Sequence, residues 1–580
     1  MKKTAFLLAA LLLTVAVCGC GGQTAQNTGS QAANNGGAQS ASNGAAPATA
    51  NEEVTLTAFV LGMEGGMDYT NNYVTQWIKE KMNVNLEFTI AVTGDDGKTK
   101  LNLMIHSNET LPDVFIATGW TKAETALYGS EGIVIPLNQY LENAPQWNSL
   151  NEQSPARRGD LTMLDGNIYT YGDVNECYHC THQARMWIYQ PWVDSLNNGV
   201  LPTTTEELHE FLTKVKTMDP NGNGVADEIP MTGVLGGWAA DPLTYLSNAF
   251  VQNNNIMSNT NPVVAAGFVI DEQGKLKYNL ISDEYRDALT YMNRLYSEGL
   301  LDPQTYTQTS DQVNATLENQ EHLVALMGGG AMPENTNFWS QSDGPWQNWT
   351  ILPPLKGPNG VQLAFTSLNG YFGSCIGLVS SDCKNPDVAV QMFDLIASEE
   401  GTAVTSFGVE GIGWEWTSEG TNLVGGTPIW RNLRPNEHLR DDGKVDWAAY
   451  GFDFKDATWD SDAVMASRTK KFREGEAVDN PDMNVEAILY RCADIYNKYA
   501  YNVNSIVPDM PYTEEQSKLI SEYAVSVGTY ANSASIRFIT GDMNIQTGWD
   551  AYLAEMDKMD VNGYISVMQE AYDAYKNSLS

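Results

Sequence analysis

The sequence predicts an α/β protein with two or more lobes, and two observations support this prediction. Val54–Val60 and Val84–Ile90 have the apolar composition of strands, and a helical pattern separates them. Strands that alternate with helices are typical of an α/β sheet. The chain has 580 residues, and the roughly 530 that follow its N-terminal leader are too many for one hydrophobic core.

Further elements follow in chain order. Apolar residues at helical spacing predict a helix that includes Leu101–Ile105, and an apolar run predicts a buried strand over Leu111–Ala117. Thr203–Lys216 begins with the spacing of a capping box, and its apolar residues recur on one helical face. Pro386 begins another helix, since proline is favoured at the first helical position. The α/β pattern therefore extends far along the chain.

Residues 1–19 predict a lipoprotein signal peptide. Two lysines precede an apolar run that is too short to span a bilayer. The run ends at Val17–Cys20, where the small residue Gly19 precedes Cys20. We therefore expect cleavage before Cys20 and a lipid on its side chain. The alternative is an ordinary secretory signal with two incidental cysteines.

Residues 20–53 predict a flexible tether. Between Gly21 and Asn51 the chain is almost wholly Gly, Ala, Ser, Asn, Gln and Thr, with no charged or aromatic residue. Such a segment cannot bury enough apolar surface to offset the entropy of ordering. We expect a body held outside the cytoplasmic membrane, on the extracellular face of a Gram-positive cell, or on the periplasmic side if the cell is Gram-negative.

The body is strongly acidic. Asp and Glu number 71 against 33 Lys and Arg, which gives a formal charge of −38. Nucleic-acid binding is excluded as a function class, because it needs a basic surface. No second apolar stretch is long enough to cross a membrane. We expect a soluble, monomeric body.

Seven cysteines leave several pairings open. Cys18 is removed with the signal and Cys20 carries the lipid, so an odd number remains in the body and at least one is unpaired. Cys177 and Cys180, with two nearby histidines, could suggest zinc, but four ligands would crowd one short loop. We therefore expect a local disulfide or two inert thiols there rather than a zinc site. The remaining cysteines are Cys375 and Cys383, which are close enough in sequence to pair, and Cys492.

Several segments resemble, in order, those of family 1 extracellular solute-binding proteins. The segments similar to the family's first crossing between lobes are Asp165–Tyr169, Met186–Tyr189, Asp194–Leu196 and Leu201–Leu208. Later similar segments are His322–Gly328, Trp349–Gly357, Asn385–Ile396, Arg537–Gly541 and Tyr564–Tyr575, the last two typical of the large lipoprotein branch. One departure is Gln190-Pro191, where the family usually has charged residues.

The resemblance implies a two-lobed, type II periplasmic-binding-protein-like fold with ligand held in a cleft. Hinge crossings would then lie near 169–171, 357–362 and 408–414. The implied N-terminal lobe is 54–170 plus about 358–410, and the implied C-terminal lobe is 171–357 plus about 411–580. The implied function is capture of a ligand and its delivery to an ABC permease.

Asp219–Glu228 predicts a calcium loop. Oxygen donors occupy loop positions one, three, five and nine, and Gly224 occupies position six, where the turn must be sharp. Pro230 stands where the closing glutamate would be, so Glu228 is expected to replace it. The resemblance adds that related oligosaccharide-binding lipoproteins often carry such a loop. The expected ligands are Asp219, Asn221, Asn223, Asp227, Glu228 and the carbonyl of Val225; the alternative is an Asx-rich turn without metal.

Aromatic residues in loops predict a carbohydrate site. The chain has 15 Trp and 27 Tyr, and sugar rings stack on aromatic faces while polar neighbours bind hydroxyl groups. The candidates at expected cleft edges are Trp120, Tyr171, Trp238, Trp339, Trp414 and Trp416, with Glu410 and Glu415 as hydroxyl acceptors. Core packing is the alternative for each of these aromatics.

These observations predict a receptor for an oligosaccharide rather than an enzyme. A lipid-tethered glycoside hydrolase would also be acidic and rich in tryptophan, and would need two facing carboxylates. No nucleophile elbow, zinc-protease motif or P-loop occurs in the chain. A binding protein for a peptide or another nutrient is the remaining alternative.

Overall fold

The structure is a computed structural model. It describes residues 53–62, 69–92, 95–107, 110–254, 266–333, 344–368, 370–371, 377–433, 459 and 467–578. The expected signal peptide with Cys20, nearly all of the tether, Trp339 and Cys375 lie outside the described residues. Along the described part of the chain, no helix is both long and apolar enough to span a membrane.

The described residues form strands and helices in alternation, which confirms the predicted α/β class. The strands are β1 Val54–Gly62, β2 Val84–Val92, β3 Val114–Ile116, β4 Val174–Asn175, β5 Met186–Tyr189, β6 Phe268–Ile270, β7 Leu276–Tyr278, β8 Leu326–Gly328, β9 Trp349–Leu352, β10 Leu378–Val379, β11 Trp414–Trp416, β12 Trp430–Asn432 and β13 Ser467–Arg468.

The helices complete the two lobes. They are α1 Tyr73–Met82, α2 Asp95–His106, α3 Lys122–Ser130, α4 Asn138–Leu141, α5 Pro145–Gln153, α6 Ala156–Leu161, α7 Gln190–Asn197, α8 Thr205–Met218, α9 Pro242–Leu246, α10 Asp283–Ser297, α11 Ser310–Leu317, α12 Pro386–Ile396, α13 Glu399–Phe407, α14 Lys470–Glu474, α15 Val485–Asn497, α16 Glu514–Tyr523, α17 Thr529–Thr540, α18 Ile545–Lys558 and α19 Val561–Ser578.

The first lobe is built on a four-stranded sheet in the order β10-β3-β1-β2. Strand β1 pairs in parallel with β2 and β3, whereas β10 is antiparallel to β3. From Ala58 onward every residue of β1 is buried, as expected of a central strand with helices on both faces. One hydrophobic core surrounds this sheet.

The second lobe has an antiparallel sheet in the order β8-β5-β9. Helix α8 begins with Thr204 as its N-cap, and its apolar face is buried in the core of this lobe. The C-terminal helices α15 to α19 contribute to the same core. Each lobe thus has its own sheet and its own core.

The chain crosses between the two cores three times within the described residues. Val174 belongs to the first core and Met186 to the second, so the first crossing lies between them. The second crossing lies between Ala364 and Leu378. The third lies between Phe472 and Val485.

The expected third crossing near 408–414 therefore differs from the structure, as does the placement of 411–580 in the C-terminal lobe. Trp414, Trp430 and Phe472 all pack in the first core. The physical reason is a hairpin: β11 and β12 pair antiparallel and keep the chain on the first lobe. The first two crossings also lie several residues later than expected.

Candidate functional site

Trp238 presents an exposed aromatic ring on the second lobe. It follows Gly236-Gly237 in the loop before α9, and 46% of it is exposed. Its indole Nε1 donates a hydrogen bond of 2.8 Å to Oε1 of Gln183, which lies on the first crossing. A Cβ atom on Gly330 would come within 2.3 Å of the Trp238 ring, so the ring lies against the backbone of that glycine. One face is thereby supported while part of the ring meets solvent.

Gly329 and Gly330, which lie beneath the Trp238 ring, are hydrogen-bonded to residues of the first crossing and of β5. Arg185 is buried and donates hydrogen bonds to the carbonyls of Gly330 and His179. The Trp187 indole donates to the carbonyl of Gly329 at 3.0 Å. The aromatic ring therefore stands on a well-fixed support beside a hinge segment. Gln183 and Arg185 were not predicted, since no local pattern marks a polar residue that fixes a distant ring.

Three of the predicted aromatics are core residues of the first lobe. Trp414 is 0% exposed, and its Nε1 donates to the Gly408 carbonyl at 2.9 Å. Tyr171 donates its hydroxyl proton to Oδ1 of Asp394 at 2.7 Å, and burial, with the negative charge of Asp394, raises its pKa well above the usual value. Trp120 packs against Phe115 and Tyr128. Core packing, the stated alternative, accounts for these three rings.

The other predicted residues that the structure describes lie at the surface of the first lobe. Trp416 is 41% exposed and packs edge-on against Trp414, with ring centroids 4.9 Å apart. Glu415 pairs with Arg431 at 3.1 Å, and Glu410 is exposed. Of the predicted carbohydrate contacts, Trp238, Trp416, Glu410 and Glu415 thus keep surface available for a ligand.

The predicted calcium loop is compact and pre-shaped. Asp219 follows α8 with a left-handed φ of 47°. Its carboxylate accepts hydrogen bonds from the backbone amides of Gly222 and Gly224, each at 3.0 Å. The Asn223 side chain accepts from the Val225 amide at 2.7 Å. These contacts turn the oxygen-bearing side chains of the loop toward its interior.

Glu228 provides the test of whether a cation fits the loop. Both carboxylate oxygens are buried and form no hydrogen bond of good geometry, although the amides of Asn221 and Glu228 itself lie near them. Burial raises the pKa of Glu228, and the negative charges of Asp219 and Asp227 add to this shift. An uncompensated carboxylate is costly to bury. The donor set of hard oxygens therefore suits a calcium ion.

The first crossing contains a disulfide between Cys177 and Cys180. This is the local pairing that the sequence left open, and it removes both thiolates from any zinc site. His182 instead lies 3.2 Å from the Phe365 carbonyl on the second crossing. Cys383 and Cys492 are free thiols in the described part of the chain.

Buried charges join the first and third crossings. Glu486 lies 3.2 Å from Nε2 of His179 and 3.6 Å from the Arg473 guanidinium. Although burial opposes it, His179 in its protonated form and the Arg473 guanidinium lower the pKa of Glu486 to about 2. Burial, with the negative charge of Glu486, raises the pKa of nearby Glu476 to about 8. At neutral pH this hinge therefore holds one ionised and one protonated carboxyl group.

Residues 63–403 match the family model described as bacterial extracellular solute-binding protein. The chain is 24% identical over 522 residues to the fructooligosaccharide ABC transporter substrate-binding protein FusA of Streptococcus pneumoniae serotype 4. That alignment covers 88% of this chain and 88% of FusA.

Two solved structures have a similar fold. The S. pneumoniae FusA EF-hand mutant in complex with fructo-nystose has a TM-score of 0.70 and 19% identity, and the match covers 90% of this chain and 100% of that chain. An HMO-binding solute-binding protein from Bifidobacterium longum infantis has a TM-score of 0.71 and 20% identity, covering 90% of this chain and 99% of that one. At these identities the likeness concerns the two-lobed fold.

Proposed function

Because the chain belongs to the bacterial extracellular solute-binding protein family, we propose that it captures an oligosaccharide and delivers it to an ABC permease. The relative FusA, which is similar over most of both chains, is named for transport of fructooligosaccharides. The observation that carries the proposal for this chain is Trp238. Its ring is exposed, held from one side and placed next to a crossing between the lobes.

The chemistry of Trp238 suits a sugar better than a charged ligand. A supported indole face offers a flat apolar surface for the C–H face of a pyranose or furanose ring, and its fixed geometry lowers the entropy lost on binding. The exposed Trp416, with Glu410 and Glu415, offers the same combination of ring and hydroxyl acceptors on the first lobe. We therefore assign these four residues as the carbohydrate contacts.

The proposal includes a lipid anchor. Cys20 carries the lipid, residues 20–53 act as the tether, and the monomeric body stands outside the cytoplasmic membrane beside its permease. A flexible tether keeps the body near the permease and leaves it free to reorient.

The proposal also includes a structural calcium ion. Asp219, Asn221, Asn223, Asp227 and Glu228 would hold it, with the carbonyl of Val225. The ion would supply the positive charge that the buried Glu228 carboxylate lacks. The related FusA was solved as an EF-hand mutant, which supports a similar loop in that protein.

Isothermal titration of the body with short oligosaccharides of different composition, and with short peptides, tests the ligand class. For the best-binding oligosaccharide, Trp238→Ala should weaken binding by about 1–3 kcal/mol, the scale of losing a well-placed aromatic contact. Trp238→Phe is the matched control, because it keeps a ring but loses the hydrogen bond to Gln183, and it should lose less.

Three results would contradict parts of this assignment. Binding of peptides but of no oligosaccharide would favour the alternative nutrient. Unchanged affinity in Trp238→Ala would remove that residue from the site. Catalytic cleavage of the bound oligosaccharide would favour a glycoside hydrolase instead of a receptor.

A further inference from the structure

The two lobes meet at a second place besides the crossings, between helix α3 of the first lobe and helix α16 of the second. Lys122 is the first residue of α3, and its side chain is only 6% exposed. Its ammonium lies 2.6 Å from Oδ1 of Asp160, on α6 of the same lobe. The same ammonium lies 3.2 Å from Oδ2 of Asp509, next to Met510 of the second core.

The two carboxylates stand in different positions with respect to Lys122. Asp160 is 19% exposed, and its other oxygen accepts a hydrogen bond from the Tyr371 amide on the second crossing, at 2.9 Å. Asp509 is 59% exposed, and its backbone carbonyl also accepts from Lys122, at 3.3 Å. A buried ammonium must keep a counter-charge. Asp160 provides one that stays when the lobes move, whereas Asp509 provides one that can be withdrawn into water.

The surroundings permit this contact to open. A crevice of about 520 Å³ lies beside Lys122, lined by α3 and residues 163–165 from the first lobe and by 511–521 from the second. Asp509 itself already touches solvent. The Asp509 carboxylate can therefore exchange its contact with Lys122 for water at a modest cost.

We propose that Lys122 and Asp509 form a latch between the lobes. Lys122 is a positioning residue: it shifts the balance between closed and open lobes without contact with the ligand. Asp160 keeps the lysine charge compensated in both states and links it to the second crossing through Tyr371. The effect of the latch on ligand affinity rests on the carbohydrate-receptor function proposed above. The existence of the latch does not.

The test uses the ligand-free body and needs no carbohydrate. Spin labels at Leu103 on α2 and Val525 beside α16, both exposed, report the distance between the lobes by double electron–electron resonance. They are attached through an introduced ketone amino acid, so the native thiols stay unlabelled. Asp509→Asn removes the second-lobe charge and leaves the Lys122–Asp160 pair intact.

We expect Asp509→Asn to raise the ratio of long to short distances by roughly two- to fivefold at low salt, the size expected of one partly exposed ion pair. The matched control is Glu514→Gln, which removes one charge from the same crevice and keeps both Asp160 and Asp509 beside Lys122. It should leave the distances unchanged. Identical distances in Asp509→Asn and wild type, or an equal shift in the control, would overturn the latch.

A second measurement separates the latch from the receptor function. If the body binds a fructo-oligosaccharide, Asp509→Asn should weaken that binding by the factor by which it lowers the closed fraction, since binding draws on the closed population. A shifted distance without any carbohydrate binding would leave the latch standing and count against the proposed ligand.

Discussion

Trp238 and Trp414 both follow glycines in loops, yet the structure uses them in opposite ways. Trp414 donates its indole proton to the Gly408 carbonyl six residues earlier and is 0% exposed. Trp238 donates to a side chain of another segment, Gln183, and remains 46% exposed. Of these two rings, the one bonded back to its own turn packs in the core, and the one bonded across to a hinge segment keeps an exposed face.

The supports of the two rings also differ. Trp414 lies in a hairpin whose second strand carries Trp430, and Trp430 forms a bridge with buried Glu476. The support of Trp238 runs back along β8, where Met327 forms a bridge with Thr232, to Val324, which forms a bridge with Ile229 just after the calcium loop. The hairpin of Trp414 therefore adjoins a segment with a buried carboxyl group, whereas the support of Trp238 leads back to a loop that suits a cation.

The largest effect on stability is expected for loss of the buried ring, Trp414. Trp414→Ala should lower the free energy of unfolding by about 3–5 kcal/mol, because it leaves a large cavity in the first core. Urea unfolding measures this. Trp416→Ala, the exposed neighbour, is the control and should cost less than about 1 kcal/mol. Equal losses in the two variants would mean that Trp414 is not a core residue.

The next effect concerns the support of Trp238. Chelation of calcium should lower the free energy of unfolding by about 2–3 kcal/mol if the ion is present at about a hundred times its dissociation constant. Differential scanning calorimetry with and without chelator measures it. Asp219→Ala should abolish the sensitivity to chelator. An unchanged melting temperature on chelation in the wild type would leave the loop as an Asx-rich turn.

A pH-dependent effect concerns the support of Trp414. Burial raises the pKa of Glu476 to about 8, so the native state holds a proton that the unfolded state releases near its ordinary pKa. The stability that this bound proton contributes is present at acid pH and is lost as the pH rises through about 8. The stability of Glu476→Gln relative to wild type should therefore rise by about 2 kcal/mol between pH 6.5 and pH 9.

Urea unfolding of both proteins at the two pH values measures that difference, in which the other titrating groups cancel. Glu474→Gln serves as the control for loss of a nearby carboxylate, because Glu474 lies two residues away and its side chain is 21% exposed. A difference between Glu476→Gln and wild type that does not change with pH would contradict the buried, protonated state of Glu476.

The smallest effect is expected for loss of the hydrogen bond that holds the exposed ring, Trp238. Gln183→Leu removes the acceptor for the Trp238 indole and keeps the size of the side chain. It should weaken oligosaccharide binding by about 0.5–1.5 kcal/mol, the net value of one hydrogen bond, with little change in stability. Isothermal titration measures it, and the double variant with Trp238→Ala should add almost nothing. Additive losses would show that Gln183 acts on the ligand directly.

Local patterns predicted much of the fold. The capped helix expected over Thr203–Lys216 is α8, the helix from Pro386 is α12, and the strand from Val54 is β1. Each depends on apolar periodicity and on a capping or proline signal within a few residues. The α/β class and the two lobes are confirmed for the same reason.

The third crossing and the exposure of the tryptophans could not be predicted in this way. Both depend on contacts between segments far apart in sequence, such as the packing of Trp414 and Trp430 in the first core and the approach of Gln183 to Trp238. The calcium ligands, the carbohydrate contacts and the lipid on Cys20 remain predictions. Gly330 is an example. Its backbone supports the Trp238 indole, and this contact exists only in the folded chain, where the two loops that carry these residues meet.

The disulfide in the first crossing has a mechanical consequence. Cys177 and Cys180 are separated by only three positions, and so short a covalent ring removes little entropy from the unfolded chain. It joins no part of one lobe to the other. It stiffens one of the segments that join the lobes. The lobes can still rotate relative to each other about the neighbouring peptide units. A reducing agent should therefore alter how fast and how far the lobes swing, while each lobe still folds.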